Sequence, residues 1–313
     1  MSCAIHVIHE NAEWSAPLFA ALQRRGLPYR DWFLAEGAFD LAEAPPDGVF
    51  YSRMSASSHT RGHRYAPEYT AAVLAWLESH DRRVVNTGRA LQLEISKVAQ
   101  YAALRRHGIR VPRTVPSVGR AAIVDAAGSF DGRFITKHNR AGKGLGVRLF
   151  DSVESLRDYV EGPDFEPPVD GITLVQDYIQ APEPCITRVE FVDGRFMYAV
   201  RVDTSDGFEL CPADACALPG AARPKFRIVD GFESPLVPAY ERFLAANGIE
   251  VAGIEFIVDA AGTAWTYDIN TNTNYNPEAE AAADRSGMDA IAAFLGRELS
   301  RQACAGARRA AAG

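Results

Sequence analysis

Short apolar runs alternate along this chain with stretches whose apolar residues recur every three or four positions, the pattern of strands interleaved with helices. Cys3 to His9 (C-A-I-H-V-I-H) predicts a buried first strand; Trp14, Leu18, Ala21 and Leu22 then mark one face of a helix that Gly26 stops. Gly48 to Tyr51 predicts a second strand, residues 52–64 (S-R-M-S-A-S-S-H-T-R-G-H-R) a polar loop, Tyr69, Val73, Trp76 and Leu77 a second helix, and Arg83 to Asn86 a third strand. Such alternation implies a parallel sheet, so residues 1–86 read as an N-terminal α/β domain.

A linking helix follows, with Ile95, Val98, Ala99 and Ala102 on its apolar face and Gly108 as its stop. Pro112 and Pro116 bracket an extended entry into a small middle domain, in which R-F-I-T-K-H-N and G-V-R-L-F predict paired strands around a glycine-rich turn. A helix capped by Asp151 or Ser152 carries Val153, Leu156 and Val160 inward and stops at Gly162. Residues 87–170 form this second unit. Beyond it, segments 172–179, 186–192, 195–202, 250–258 and 263–270 predict strands, with turns at Asp193-Gly194 and Ala261-Gly262. Helices fit 235–247 and 288–300, so residues 171–303 read as a mainly antiparallel sheet with helices on it, and 304–313 as a frayed tail. The fold class is therefore α/β in its first domain and α+β beyond.

The stretch Y-D-I-N-T-N-T-N-Y-N, 267–276, breaks the apolar pattern: Asp268, Asn270, Asn272, Asn274 and Asn276 alternate with Ile269, Thr271, Thr273 and Tyr275. If 250–258 and 263–270 form a hairpin, Glu255 faces the Asp268–Asn270 region and three oxygen donors converge. Carboxylates brought together need a cation, and hard oxygen donors with open positions suit Mg²⁺. An exposed strand with a polar face is the plainer alternative. In I-T-K-H-N-R-A-G-K-G-L-G-V, 135–147, Lys137 sits in a strand where an ammonium can meet a phosphate, and Gly142, Lys143, Gly144 and Gly146 form a turn whose N–H groups can cover phosphates. It is not a Walker A loop, since Gly144 follows Lys143, and flexible surface turns share this composition. L-V-Q-D-Y-I-Q, 174–180, closes an apolar strand on Gln176 and Asp177, and Lys97 opens a helical turn where a surface lysine is the ordinary reading.

Composition narrows the classes. The 313 residues are 47% apolar and 23% charged with a net charge of -7, which argues against a nucleic-acid or anionic-membrane partner. No apolar stretch approaches the ~18 residues of a membrane helix, and no signal peptide opens the chain. Cysteines at 3, 185, 211, 216 and 304 match no zinc or redox spacing, so a reduced cytoplasm is expected, with Cys211 and Cys216 as buried small hydrophobes.

Taken in order, R-V-V-N, S-K-V-A-Q-Y-A-A-L, G-I-R-V-P-R-T, F-I-T-K, G-K-G-L-G-V, V-Q-D-Y-I, G-I-E-F and Y-D-I-N resemble the ATP-grasp superfamily of carboxylate–amine ligases, most closely its RimK-type branch, across residues 48–278. The resemblance implies three α/β domains clasping ATP. It implies that Lys97 and Lys137 hold nucleotide phosphates, that Gln176, Asp177, Tyr178 and Ile179 receive adenine, and that Gly142 to Gly146 close over the phosphates. Glu255, Asp268 and Asn270 would bind magnesium, two ions by the family pattern, with Mn²⁺ an alternative. The implied reaction is attack of a substrate carboxylate on the γ-phosphate of ATP to give an acyl phosphate, which an amine converts to an amide with ADP and phosphate as products. Small-molecule or peptide substrates, no nucleic-acid or membrane partner, and a homo-oligomer go with it.

Arg188 and Arg201 are candidates for the transferring phosphate or a carboxylate, and Glu183 for the ribose, because Ile186 stands where the family has an aspartate. No F-R-x-N stretch lies between Arg201 and Glu255, so glutamate as the added amino acid is not supported. Asn272 and Asn274 replace small and Pro residues of the family; they read equally as donors to the acyl-phosphate region or as braces of their loop. Arg53, His59, Arg61, His63 and Arg64 form either a basic rim for an acidic substrate or, the favoured reading, solvated charge. A kinase-like use of the same site, or a nucleotide-binding regulator without catalysis, are the competing functions.

Overall fold

The computed structural model describes residues 3–142, 144–205 and 225–312, with 304–312 described as backbone alone. Cys211, Cys216 and the run after Asp206 therefore lie outside the described residues, as does Lys143. The elements gather into three sheets.

The first domain contains β1 (Ala4–His9), α1 (Ala12–Arg24), β2 (Tyr29–Phe33), β3 (Gly48–Ser52), α2 (Ala66–Ser79) and β4 (Arg83–Val85). Its strands run parallel in the order β2-β1-β3-β4, as the strand–helix alternation implies. Asn11 caps α1 by accepting a hydrogen bond from the Trp14 N–H at 3.0 Å. Strand β2 was not foreseen, because this half-exposed edge strand reads Y-R-D-W-F and has no apolar run.

The linking segment is two helices, α3 (Gly88–Glu94) and α4 (Lys97–Arg106), rather than one. Ile95 ends the first, and the Ser96 hydroxyl restarts the second by accepting from the Ala99 N–H at 3.2 Å. The buried face of α4 is not the apolar one expected: Lys97, Gln100, Tyr101 and Leu104 point inward while Ala102 is exposed. Gln100 explains the turn, since its amide donates to Leu93 O and Ile269 O, both at 2.8 Å, and accepts from Ile269 N.

The middle domain adds β5 (Thr114–Ser117), α5 (Arg120–Ala127), β6 (Phe134–His138), β7 (Arg148–Phe150), α6 (Val153–Glu161) and β8 (Thr173–Asp177). Ser152, not Asp151, caps α6. Strands β6 and β7 pair antiparallel around the glycine-rich turn as predicted. Strand β8, grouped from sequence with the C-terminal strands, pairs instead with β5 and β6, giving the sheet order β5-β8-β6-β7. Its Val175 packs with Ile123, Phe134, Phe150 and Leu156, so the apolar face of 173–177 belongs to the middle core. The middle unit thus runs past residue 170.

The C-terminal domain contains β9 (Cys185–Val192), β10 (Arg195–Asp203), β11 (Phe226–Val229), α7 (Leu236–Ala246), β12 (Val251–Val258), β13 (Ala264–Asn270), α8 (Pro277–Ala282) and α9 (Gly287–Ala312). Its antiparallel order is β11-β10-β9-β12-β13. Asp193 and Gly194, both at positive φ (58° and 65°), make the tight β9–β10 turn. Helix α9 extends well beyond the expected 288–300, through a run of alanine and arginine that favours helix. It returns to the first domain: Ile291, Phe294, Leu295 and Leu299 share a core with Leu18 and Leu22 of α1, Val7 and Val49 of the parallel sheet, and Val251 of β12. The first and last domains are thereby one packed body. Among the described residues, no helix is long and apolar enough to cross a membrane.

Candidate active site

Between the middle and C-terminal sheets lies a cavity of about 560 Å³, a size suited to a small-molecule ligand. Lys137, Gly142, Gly144, Gln176, Asp177, Tyr178, Ile179 and Glu183 line one side, with Lys97, Arg188, Glu255, Asp268, Asn270 and Asn272 opposite. Trp14, Ser55 and Ser57 close the end that faces the first domain. Of the described residues that the sequence offered for nucleotide, magnesium or the transferring phosphate, Arg201 and Gly146 do not line the cavity, and neither does the basic set Arg53, His59, Arg61, His63 and Arg64.

Strand register builds the acidic wall. Glu255 stands opposite Asp268 on β13 and opposite Arg188 on β9, so three charges share one face of the sheet. Arg188 is buried; its Nε donates to Glu190 Oε1 at 2.5 Å, Nη1 to Glu255 Oε1 at 2.9 Å and Nη2 to Thr273 Oγ1 at 2.6 Å. Gly253 makes room for it: a Cβ there would come within 2.6 Å of Arg188 Nη2. Lys97 Nζ donates to Asp268 Oδ1 at 2.5 Å. Burial raises the Glu255 carboxyl, against Arg188, and the nearby Asp268 raises it further. Burial also works on Asp268, but Lys97 and Lys137 outweigh it and hold that carboxyl below its usual range.

Repulsion between the two carboxylates is what a divalent cation relieves. Glu255, Asp268 and the Asn270 amide oxygen fit Mg²⁺, which takes one or two carboxylates and completes its shell with phosphate oxygens and water. Among the described residues no group of three His, Cys, Asp or Glu is placed to hold a metal ion.

Lys137 is 4% exposed, with its Nζ on the Tyr101 hydroxyl and 3.4 Å from Tyr267 O. Burial, helped by the nearby Lys97, brings its pKa down to about 7. Gly144 and Gly146 adopt φ of 77° and 72°, and a Cβ on Gly146 would strike the His138 ring, so this turn needs glycine for its shape. At the end of β8, Gln176 Nε2 donates to Thr114 Oγ1 at 2.7 Å, while the N–H groups of Asp177 and Tyr178 are held by Arg113 O and Arg133 O.

Arg201, a candidate for the transferring phosphate, is half-exposed and paired with Glu183. Sheet order explains its absence from the wall: β10 is separated from β12 by β9, where Arg188 stands in register with Glu255. Of residues 52–64, expected as a polar loop, 52–58 are buried, and Arg53 is 1% exposed. Arg61 Nη2 and His63 Nδ1 sit 2.5 and 3.0 Å from the buried Glu10 carboxylate, so these charges brace the first domain instead of fringing it. The strand β13 also stops at Asn270. Beyond it Glu94 accepts from Thr271 N at 2.6 Å; Asn272 and Asn274 still line the cavity with Asp268 and Asn270, while Asn276 leaves that face and caps α8 through Ala279 N at 2.9 Å.

Sequence reasoning missed Glu94, Glu190 and Thr273. Glu190 was findable, because it lies two positions from Arg188 in a strand and so on the same face. Glu94 offered no signal: its function as acceptor for Ala56 N and Thr271 N depends on contacts far apart in the chain.

No protein-family model matches this chain, and no curated protein matches it. Solved structures do. The RimK-domain ATP-grasp protein of Sphaerobacter thermophilus is 18% identical, with 93% of this chain and 99% of that one covered at a TM-score of 0.65. The ATP-grasp ligase PsnB, in a complex with a minimal precursor, Mg and ADP, is 16% identical with 94% and 98% covered, TM-score 0.65. D-alanyl-alanine synthetase A of Vibrio cholerae is 11% identical with 96% and 99% covered, TM-score 0.65. The fold is that of the ATP-grasp enzymes, mixed α/β with one parallel and two antiparallel sheets.

Proposed function

We propose that this chain is an ATP-dependent, ADP-forming ligase that joins a carboxylate to an amine, with an amino acid or peptide as substrate. The observation that carries the reading is the convergence of Lys97, Lys137, Glu255, Asp268 and Asn270, from four separate elements, on one cavity wall. The similar PsnB structure, with Mg, ADP and a precursor, supports the choice of ligands.

In this reading Lys97 and Lys137 hold phosphate oxygens, and the Gly142–Gly146 turn covers them and excludes water. Residues 176–179 border the adenine, and Glu183 the ribose. Glu255, Asp268 and Asn270 would hold Mg²⁺, which would supply charge neutralisation at the transferring phosphoryl group. Arg188 anchors Glu255 and offers its remaining N–H groups to the wall; Asn272 faces the same space. A substrate carboxylate oxygen forms a bond to the γ-phosphorus as the bond to the β–γ bridging oxygen breaks, releasing ADP. An amine then attacks the acyl carbon, the C–O bond to phosphate breaks, and the amine proton leaves with solvent. The free Cys3 and Cys185 accord with a reduced, cytoplasmic setting.

The test is release of ADP and phosphate from Mg-ATP against pools of amino acids, small carboxylates and amines, with Asp268→Asn as blank. Equimolar ADP and free phosphate, dependent on a pool and absent in the blank, is the expected result. Phosphate retained on the product would mark a kinase, and nucleotide binding without turnover in any pool a regulator.

A further inference from the structure

Several buried charges around the cavity are matched by an opposite charge of the chain, whereas Lys137, on the Tyr101 hydroxyl and Tyr267 O, and Glu94, on the N–H groups of Ala56 and Thr271, have neutral partners. Arg188 faces Glu190 and Glu255, Lys97 faces Asp268, and Arg61 faces Glu10. Arg53 makes no ion pair among the described residues, although it is one of the most deeply buried side chains. Its Nη1 donates to Trp14 O at 3.2 Å, and its Nη2 to Thr273 O at 3.2 Å and to Asn274 Oδ1 at 2.9 Å, while its Nε has no partner. Burying an unneutralised guanidinium is costly and is tolerated where a counter-charge arrives from outside the chain.

The bond to Asn274 has a chemical consequence. A guanidinium only donates, so the amide oxygen of Asn274 must face Arg53. The amide nitrogen is thereby turned away from it, and it is not among the buried polar atoms sealed without a partner. Asn274 borders the main cavity beside Ser55, Asn272 and Trp14. A cavity-lining amide is thus backed by a positive charge, among neighbours that include the neutral Ser55 and Asn272 and the Glu94 carboxyl, which is itself held by Ala56 N and Thr271 N.

We propose that Asn274, oriented by Arg53, is a seat for an anionic carboxylate oxygen of the substrate at the end of the cavity facing the first domain. Asn274 is the contacting donor and Arg53 a positioning residue that fixes its amide and supplies the charge. The proposal rests on the ligase reading for the fate of that carboxylate, but the seat itself needs no nucleotide.

The test is an NMR titration of protein labelled with ¹⁵N at asparagine, the Asn274 side-chain amide being identified by its loss in Asn274→Asp. Acetate is expected to shift that amide saturably, and neutral acetamide to leave it unmoved. In Arg53→Met the response to acetate disappears, while the shifts that Mg-ADP induces at Asn270 remain. Asn274→Asp places a carboxylate against Arg53, so it gains thermal stability and loses acetate binding, which provides a second, well-folded variant. An Asn274 amide indifferent to acetate, responsive to inorganic phosphate instead, or equally responsive in Arg53→Met overturns the proposal. Absence of any Mg-ADP response would instead count against the ligase reading and leave the acetate result to stand on its own.

Discussion

The two ends of the cavity hold buried arginines in opposite circumstances. Arg188 sits in a strand, flanked in register by Glu255 and two residues from Glu190, with both carboxylates within 2.9 Å. Arg53 sits just after a strand end and donates only to neutral oxygens of Trp14, Thr273 and Asn274. The first wall is balanced by the protein itself, and it is the wall to which the proposed function assigns a cation and phosphates. The second leaves a charge for a ligand to balance. Where a site keeps its charge matched and where it leaves it open distinguishes the machinery from the seat of a variable substrate.

The largest effect is expected from Asp268→Asn, which removes a proposed cation ligand and strands Lys97. Turnover should fall by at least ~10²-fold, the scale of losing one transition-state-stabilising group, with the circular-dichroism spectrum unchanged; near-normal turnover would break the assignment of that wall.

Arg188→Met and Arg53→Met sharpen the contrast directly. Removing Arg188 leaves two buried carboxylates without a counter-ion and should cost roughly 3–5 kcal/mol of stability in urea unfolding. Removing Arg53 forfeits hydrogen bonds to neutral acceptors and also a buried charge, so about 1–2 kcal/mol is expected. Equal losses would mean that the two arginines do not differ as described.

A smaller effect is protonic. Burial, with Lys97 nearby, brings Lys137 down to about 7 in the folded chain, against an ordinary value of 10.5. Between those values the unfolded chain binds the proton and the folded one does not, so Lys137 contributes a gain in stability as pH rises through this window. A bound phosphate reverses the shift. Calorimetry of Mg-ADP binding at about pH 8, in buffers of differing ionisation heat, should therefore show proton uptake that Lys137→Met abolishes.

The smallest concerns the link between the first and middle domains. Arg140 Nη1 donates to Glu68 Oε1 at 2.6 Å, and Arg64 reaches the same carboxylate. Burial pushes Glu68 up, but the hydrogen bonds from Arg140 and Arg64 draw it down to about 2 from an ordinary 4.5. Its stabilisation is complete above the unfolded value and lost as pH falls toward 2, so Glu68→Gln should flatten the acid limb of the stability curve slightly.

Much of the balanced wall was legible in sequence because strands have a period of two. Once 250–258 and 263–270 are taken as a hairpin, Glu255 and Asp268 must meet, and the structure pairs them. Lys137 and the glycine turn were readable for the same local reason. The other wall was not. Nothing in S-R-M-S marks Arg53 as buried, since its partners lie near residues 14 and 273 and only tertiary packing unites them. The inward turn of Gln100 on α4 hid the burial of Lys97 in the same way, and β8 changed sheets because strand pairing beyond hairpins has no local signature.

Calorimetric titration of Mg-ATP into the wild-type protein and into Lys137→Met tests the nucleotide site most directly. One site per chain, magnesium-dependent and weakened at least ~10-fold in the variant, is the predicted result. Wild-type protein that binds no nucleotide, or a variant that binds it equally well, would contradict the reading of this cavity as the seat of ATP.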